Sequence, residues 1–321
     1  MTQHATLAAN SSRGTTSIGL VGLGNMGYAV CQRLGAGGDV IAYDISAERR
    51  HLASELDRVT VTDQLADLHD ADTIVLSLPR PEISLQVIEE LSELVDAGTI
   101  IVETSTVTPD AIANMRTIAD GAGLSLIDAA ILSGTSDMAD HRSKLLVGGD
   151  RSSIDRATGV LDLLSPNWIE FGSSGSGMAA KVINNGVAHA TMVVLLEAFA
   201  VARSYNVDPR LLVELLKGED AGLIRPLTFR LNRRVAEGDY EGGMSVASAR
   251  KDSELIVDMA KAAHVPLFAT SASHSVYELA LGMGLGGLDY AAISEIWERG
   301  LEGTLQFSAD AGWSSTEERS E

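Results

Sequence analysis

Three glycines, one aspartate, one lysine and one asparagine carry most of the chemistry this sequence can offer. Gly22, Leu23, Gly24, Asn25, Met26 and Gly27 spell GxGxxG. The chain holds 31 glycines, so such a pattern arises easily by chance and its context decides. The apolar run SIGLVGL ends in its first glycines and a helical pattern follows. In that setting Gly22 permits the tight turn, Gly24 lets a pyrophosphate approach the backbone, and Gly27 lets helix and strand pack closely. The helix start then turns its free N–H groups to the phosphates. Asp44 ends the next apolar run, where a carboxylate accepts hydrogen bonds from the adenosine ribose hydroxyls. The same charge would face the 2'-phosphate of NADP, and Ile45 and Ser46 follow it rather than arginine, so NAD is expected over NADP.

Two further strand ends, LSLPRP at 76 to 81 and ETSTVTP at 103 to 109, fall on the same carboxyl edge, where open α/β sheets bind ligands. Leu78 and Pro79 can pack on the nicotinamide side there, with Thr106 offering a hydroxyl. Proline and Ser/Thr at strand ends are also ordinary helix-start signals, and both readings stand. Lys181 lies four residues after Gly177, with Asn185 one turn later on nearly the same face. A lysine at a domain junction can be desolvated, which lowers its pKa and suits proton transfer; a solvated helix face is the plainer alternative. His189 continues that stripe and is read as structural.

The elements that must position these residues follow from pattern. The chain has 321 residues, 45% hydrophobic and 21% charged, enough for two ordinary domains. From Ser17 to about Gly172, Val/Ile/Leu-rich runs alternate with helical patterns, the signature of repeated βα units and a mostly parallel sheet. Strands are expected at 17–23, 39–44, 60–62, 73–79, 99–105, 124–130, 144–149 and 167–172. Helices are expected at 46–56, 82–95 and 109–119, the last with Thr108 as cap and Pro109 as first residue. After FGSSGSG the strand-like runs stop. A helix of nearly thirty residues starts near Met178, roughly 40 Å long, and further helices are expected at 209–217, 224–236, 247–263, 267–283 and 289–299. The expected organisation is a tail at 1–16, an α/β Rossmann dinucleotide-binding domain at 17–176, an all-α substrate and dimerisation domain at 177–306, and a tail at 307–321.

Composition excludes some functions. Lys plus Arg number 24 against 44 Asp plus Glu, a formal charge of -20, so a nucleic-acid or anionic-lipid partner is not expected. A single cysteine, Cys31, leaves no disulfide framework and no Cys-rich metal site, which fits a reducing cytoplasm. No metal is expected. No window reaches 18 uninterrupted apolar residues, since Glu197 breaks the greasiest stretch, and no membrane span is expected. The apolar helical half exceeds what one small α-domain can cover, which points to a homo-oligomer, most simply a dimer.

GLGNMG with Asp44, the LP and STxxP strand ends, GSGMAAKVINN at 175–185 and KDSELI at 251–256 together resemble the β-hydroxyacid dehydrogenases, a family that includes 3-hydroxyisobutyrate and tartronate semialdehyde dehydrogenases. The resemblance spans about residues 17 to 305, and GxGxxxKxxNN is its most specific element. It implies NAD-dependent hydride transfer to or from a β-hydroxy acid. It implies Lys181 as the catalytic acid/base, Asn185 as a substrate-orienting residue, Leu78, Pro79 and Thr106 at the nicotinamide half, and Lys251 closing over the cofactor. One motif departs from the family. The substrate loop usually reads DxPVSGG, and here an ungapped alignment gives DAAILSG for Asp128 to Gly134, so the proline is gone, Leu132 takes the usual serine place and Ser133 follows it; a one-residue slip of the loop is the alternative that would restore Ser133 to that place. In the family the serine and glycine of this loop hold the substrate carboxylate, which makes Leu132, Ser133 and Gly134 the residues that set substrate choice. Ile83 likewise replaces a polar residue that some members place near the cofactor. Two rival readings are a related imine reductase using NAD(P)H and a non-catalytic nucleotide-bound scaffold. Lys181 argues against both, because imine reductases usually hold Asp or Tyr there and a scaffold would be expected to lose the lysine.

Overall fold

The computed structural model describes residues 17–301 and 303–308. The tails expected at 1–16 and, from residue 309, at the C-terminus lie outside the described residues. The chain divides into two compact units, the first running to Asn185 and the second beginning at Gly186.

The first unit is built on eight strands: β1 (Ile18–Val21), β2 (Val40–Tyr43), β3 (Val59–Thr62), β4 (Thr73–Leu76), β5 (Ile100–Glu103), β6 (Ser125–Ile131), β7 (Lys144–Gly148) and β8 (Asn167–Gly172). They form one sheet in the order β3-β2-β1-β4-β5-β6-β7-β8. The first six are parallel; β7 is antiparallel to β6, and β8 is parallel to β7. Every strand expected from the sequence is present, most within a residue or two. β1, β4 and β5 are buried throughout, as strands covered by helices on both faces must be. One apolar cluster packs α1 (Asn25–Gly35) and α6 (Arg151–Leu164) on one face. The other packs α3 (Pro81–Leu94) and α4 (Pro109–Gly121) on the opposite face. The expected start of α4 holds: the Thr108 hydroxyl accepts from the Ala111 N–H at 3.3 Å and Pro109 opens the helix. Helix α2 (Ala47–Ala53) is shorter than the sequence pattern suggests. The sequence reading named neither α6 nor α5 (Thr135–Ala139).

The strand row Tyr43, Val21, Leu76, Glu103 and Asp128 runs side by side across the sheet. The residues that follow, including Gly22, Asp44, Ser77 and Thr104, therefore share the carboxyl edge. β6 overruns that edge to Ile131, and β7 pairs with the overhang. Because β7 runs back, the 132–143 connection is held at the same edge.

The helix α7 (Ser176–Ser204) has 29 residues and begins in the first unit. By length and composition alone it could cross a membrane, and 17% of its most apolar window is buried in this chain. The second unit is helical as expected, with α8 (Pro209–Leu216), α9 (Val246–Ala262), α10 (Ala269–Gly282) and α11 (Glu295–Glu298). Asp208 caps α8 ahead of Pro209, as the sequence indicates. Two expectations are corrected. Residues Pro226–Val235 form a π-helix rather than an α-helix, and the helix expected at 289–299 is a 3-10 turn (Tyr290–Ser294) running into α11. Glu197, which interrupts the apolar run of α7, is buried for a reason: its carboxylate accepts from the N–H groups of Phe268, Ala269 and Thr270 at 2.5 to 2.9 Å and caps α10.

Candidate active site

Gly22 is held at φ +101°, a conformation that favours glycine, and a side chain there would run into the Ser77 carbonyl. A side chain on Gly27 would run into the Gly22 carbonyl, so both glycines are fixed by close backbone packing. Gly24 differs: apart from its own chain neighbours, nothing lies within 4 Å of where its Cβ would stand. The first turn of α1, opened by Asn25 and Met26, has neither a side-chain cap nor an acidic residue. The loop thus presents space and unspent N–H donors at a helix N-terminus, which fits a pyrophosphate. Strand order reverses between β1 and β4, so this cleft is the topological switch point of the sheet.

Asp44 stands at the end of β2. Its carboxylate accepts from Leu23 N–H and from Ser46 N–H, each at 2.7 Å, which ties it to the glycine loop. Each oxygen keeps a further lone pair for a ribose hydroxyl. Arg50 does not offer itself to a phosphate, since it donates to the Asp44 carbonyl at 2.7 Å and pairs with Asp63 at 3.5 Å. Beside these, the β4 and β5 ends are laced together. Leu78 N–H donates to the Ser105 hydroxyl at 2.8 Å, and Ser105 N–H donates to Glu103 at 2.7 Å. Pro79 and Thr106 are exposed at these two ends. Glu103 itself is fully buried, its second carboxyl oxygen has no hydrogen-bond partner, and burial pushes its pKa up to about 7.

Lys181 sits near the start of α7, half-buried, and its Nζ donates to the Ile131 carbonyl at the overhanging end of β6. Burial lowers its pKa below the usual lysine value. Asn185 follows one turn later and is half-buried, whereas His189 is exposed. The Leu132 N–H is taken by the Lys144 carbonyl at 2.8 Å, and the Leu132 side chain packs on the apolar cluster beside α3 and α4. The Ser133 hydroxyl meets the Ser143 hydroxyl at 2.6 Å. Gly134 is exposed, with open space where a Cβ would stand. In the first unit the structure therefore gathers Gly22–Gly27, Asp44, Leu78, Pro79, Thr106, Leu132–Gly134, Lys181 and Asn185 along one sheet edge and its overhang. Lys251 belongs to the second unit, exposed on α9 and paired with Asp252 at 3.2 Å. Among the described residues no group of three or more His, Cys, Asp or Glu side chains could hold a metal ion.

The sequence reading passed over Glu103 and Asp128. Both are fully buried acids in otherwise apolar strands, and an acid inside such a run is the signal that could have found them.

Comparison with known proteins bears on the family of the chain. Residues 17–172 match the NAD binding domain of 6-phosphogluconate dehydrogenase, and residues 175–297 match the NAD-binding domain of NADP-dependent 3-hydroxyisobutyrate dehydrogenase. The 2-(hydroxymethyl)glutarate dehydrogenase of Eubacterium barkeri is 26% identical over 286 residues, covering 88% of this chain and 95% of that protein. The solved structure of Mycobacterium tuberculosis 3-hydroxyisobutyrate dehydrogenase with L-serine is 25% identical, with a TM-score of 0.63 over 88% of this chain and 99% of that one. An imine reductase from Myxococcus stipitatus in complex with NAD+ has a TM-score of 0.80, covers 88% of this chain and 100% of its own, and is 18% identical, a likeness of fold alone. Two domain families matched in succession along one chain, with relatives aligned over nearly their whole length, place the protein: it belongs to the β-hydroxyacid dehydrogenase family, oxidoreductases that use a nicotinamide cofactor on small hydroxy acids or their carbonyl counterparts.

Proposed function

We propose that the protein is an NAD-preferring dehydrogenase that oxidises a β-hydroxy acid bulkier or otherwise functionalised than 3-hydroxyisobutyrate, or reduces the matching carbonyl. The observation that carries the reading is the Lys181 amine, desolvated and aimed at the overhanging end of β6 beside the 132–134 loop. In the oxidising direction the substrate hydroxyl gives its proton to Lys181 Nζ; in the reducing direction Lys181 returns it to the carbonyl oxygen. Bound nicotinamide supplies the hydride acceptor or donor. Asn185, one turn along, orients the hydroxyl. Gly22 to Gly27 hold the pyrophosphate, Asp44 the adenosine ribose, and Leu78, Pro79 and Thr106 the nicotinamide end.

The substrate loop supports a departure from the small family acid. Leu132 presents a hydrocarbon where the family has a serine, and the following hydroxyl, Ser133, is already engaged by Ser143. One polar contact to the substrate is lost, worth about 1 to 3 kcal/mol. The relative that acts on 2-(hydroxymethyl)glutarate, a longer diacid, is consistent with a roomier choice. We further propose a cytoplasmic homodimer, for which the sparsely buried apolar length of α7 and the exposed Leu211, Val213 and Leu215 of α8 are the support. The test is catalytic efficiency across 3-hydroxyisobutyrate, larger β-hydroxy acids and cyclic imines with NAD or NADH. A larger hydroxy acid should lead by about tenfold or more. Preference for 3-hydroxyisobutyrate overturns the substrate reading, and turnover of imines alone overturns the alcohol chemistry.

A further inference from the structure

Asp128 is fully buried on β6, yet it makes no ion pair among the described residues. Its carboxylate is spent on the start of α7. Oδ1 accepts from Gly175 N–H at 2.6 Å and Oδ2 from Met178 N–H at 2.8 Å. These are short, charge-assisted bonds across 47 and 50 residues of sequence, and they satisfy amides that a helix start otherwise leaves bare. The surroundings are shaped to let the carboxylate in. A Cβ on Gly148 would stand 2.7 Å from Oδ1, and a Cβ on Gly177 would stand 2.9 Å from Oδ2 and inside contact distance of the Leu146 carbonyl. Both glycines are therefore required for α7 to press this closely against the sheet. Three residues past Asp128, Ile131 presents its carbonyl to Lys181 Nζ. Three residues past Met178, about 4.5 Å along the helix axis, stands Lys181 itself. One strand thus grips one helix at two points, by a carboxylate at the helix start and by a carbonyl at the reactive amine.

We infer that Asp128 is a positioning residue for Lys181: it fixes the register and tilt of the first turns of α7, and through them the place of the amine relative to the substrate hydroxyl. The inference rests on the reading of Lys181 as the acid/base. An α-helix is stiff over one turn, so a loosened start moves Lys181 almost as a rigid body, and a misplacement of about 1 Å in such a group costs on the order of 100-fold in rate.

The experiment is a double-mutant cycle on the full chain with NAD and the best substrate of the panel above. It compares wild type, Asp128→Asn, Lys181→Ala and the double variant for kcat, KM and NAD affinity by calorimetry. Asparagine keeps the shape but turns one acceptor into a donor facing an N–H. Asp128→Asn should lose about 100-fold in kcat while the NAD dissociation constant stays within about twofold, and should change the residual rate of Lys181→Ala by less than about twofold. Gly177→Ala, which moves the same amides off the same carboxylate, should show the same pattern and serves where Asp128→Asn does not fold. Equal fractional losses in both lysine backgrounds, wild-type kcat in Asp128→Asn and Gly177→Ala, or a proportional loss of NAD affinity would each overturn the inference while Lys181→Ala stays inactive. If Lys181→Ala itself turns over normally, the acid/base reading falls first and the positioning role with it.

Discussion

Glu103→Gln should make the first unit more stable at neutral and alkaline pH and leave it almost unchanged in acid. Glu103 lies fully buried at the end of β5, and burial, opposed by the hydrogen bond from Ser105 and reinforced by the neighbouring Asp128, raises its pKa from 4.5 to about 7. An acid whose pKa is higher in the fold than in the unfolded chain binds its proton more tightly when folded. Its contribution is therefore complete below about pH 4.5 and is lost as pH rises through about 7. At about 1.4 kcal/mol for each pH unit of that gap, the loss amounts to about 3 kcal/mol. Glutamine does not titrate. Its carbonyl can keep the bond from Ser105 N–H, and its amide can donate to Ser84, whose buried hydroxyl is otherwise without a partner. Urea unfolding from pH 4 to 8, followed at Trp168 with Trp297 and Trp313 replaced by phenylalanine, should show the variant gaining about 3 kcal/mol on the parent. Titrating groups that do not sense Glu103 cancel in that difference. Parallel stability curves, or a variant that loses ground as pH rises, would refute the argument and make Glu103 an ionised partner of Ser105.

Lys181→Ala should lower turnover by about 10² to 10⁴ with NAD affinity nearly intact, and Lys181→Arg should not restore it because guanidinium stays protonated; wild-type turnover in either variant would defeat the mechanism. Since burial lowers the Lys181 pKa, the oxidation rate should rise with pH along a limb centred below the ordinary lysine value of 10.5, and a limb at or above that value would show a solvated amine. Asp44 opposite a 2'-phosphate, two like charges about 4 Å apart, costs about 1 kcal/mol in water and about 4 kcal/mol at an effective dielectric near 20. NAD should therefore be preferred about tenfold or more in kcat/KM, and Asp44→Asn should narrow that ratio; equal efficiency with NADP in the parent enzyme speaks against the assignment. Light scattering at micromolar concentration should give at least twice the 33.8 kDa chain mass, and a single-chain mass would reject the dimer.

What the sequence disclosed and what it hid divide along the range of the interactions. All eight strands and the glycine loop were legible because each depends on neighbours in the chain: an apolar run, a turn glycine, an acid at a strand end. The start of α4 was legible for the same reason, Thr108 and Pro109 acting within one turn. Helix α6 was legible on the same terms but passed over: Ile154, Ala157, Val160, Leu161 and Leu164 recur at helical spacing and form its buried face, and what only the structure shows is that the Asp150 side chain, at the cap position, pairs with Arg116 at 2.8 Å instead of capping the helix. The π-helix escaped because its setting is tertiary. The guanidinium groups of Arg225 and Arg230 stack over Phe229 at 4.6 and 4.8 Å, and Arg230 reaches the buried Asp289 at 3.0 Å across the second unit. Lys181 was visible only as a spacing, and whether that spacing means solvent or chemistry is decided by β6, whose Ile131 carbonyl meets the amine and whose Asp128 holds the helix that carries it. Near Lys181 the sequence offers only Gly177, which leaves room for the Asp128 contact, and nothing there names either partner. The lysine proposed here as the acid/base is thus held by a strand about fifty residues away, and on that proposal substitutions in the strand should lower turnover before they lower stability.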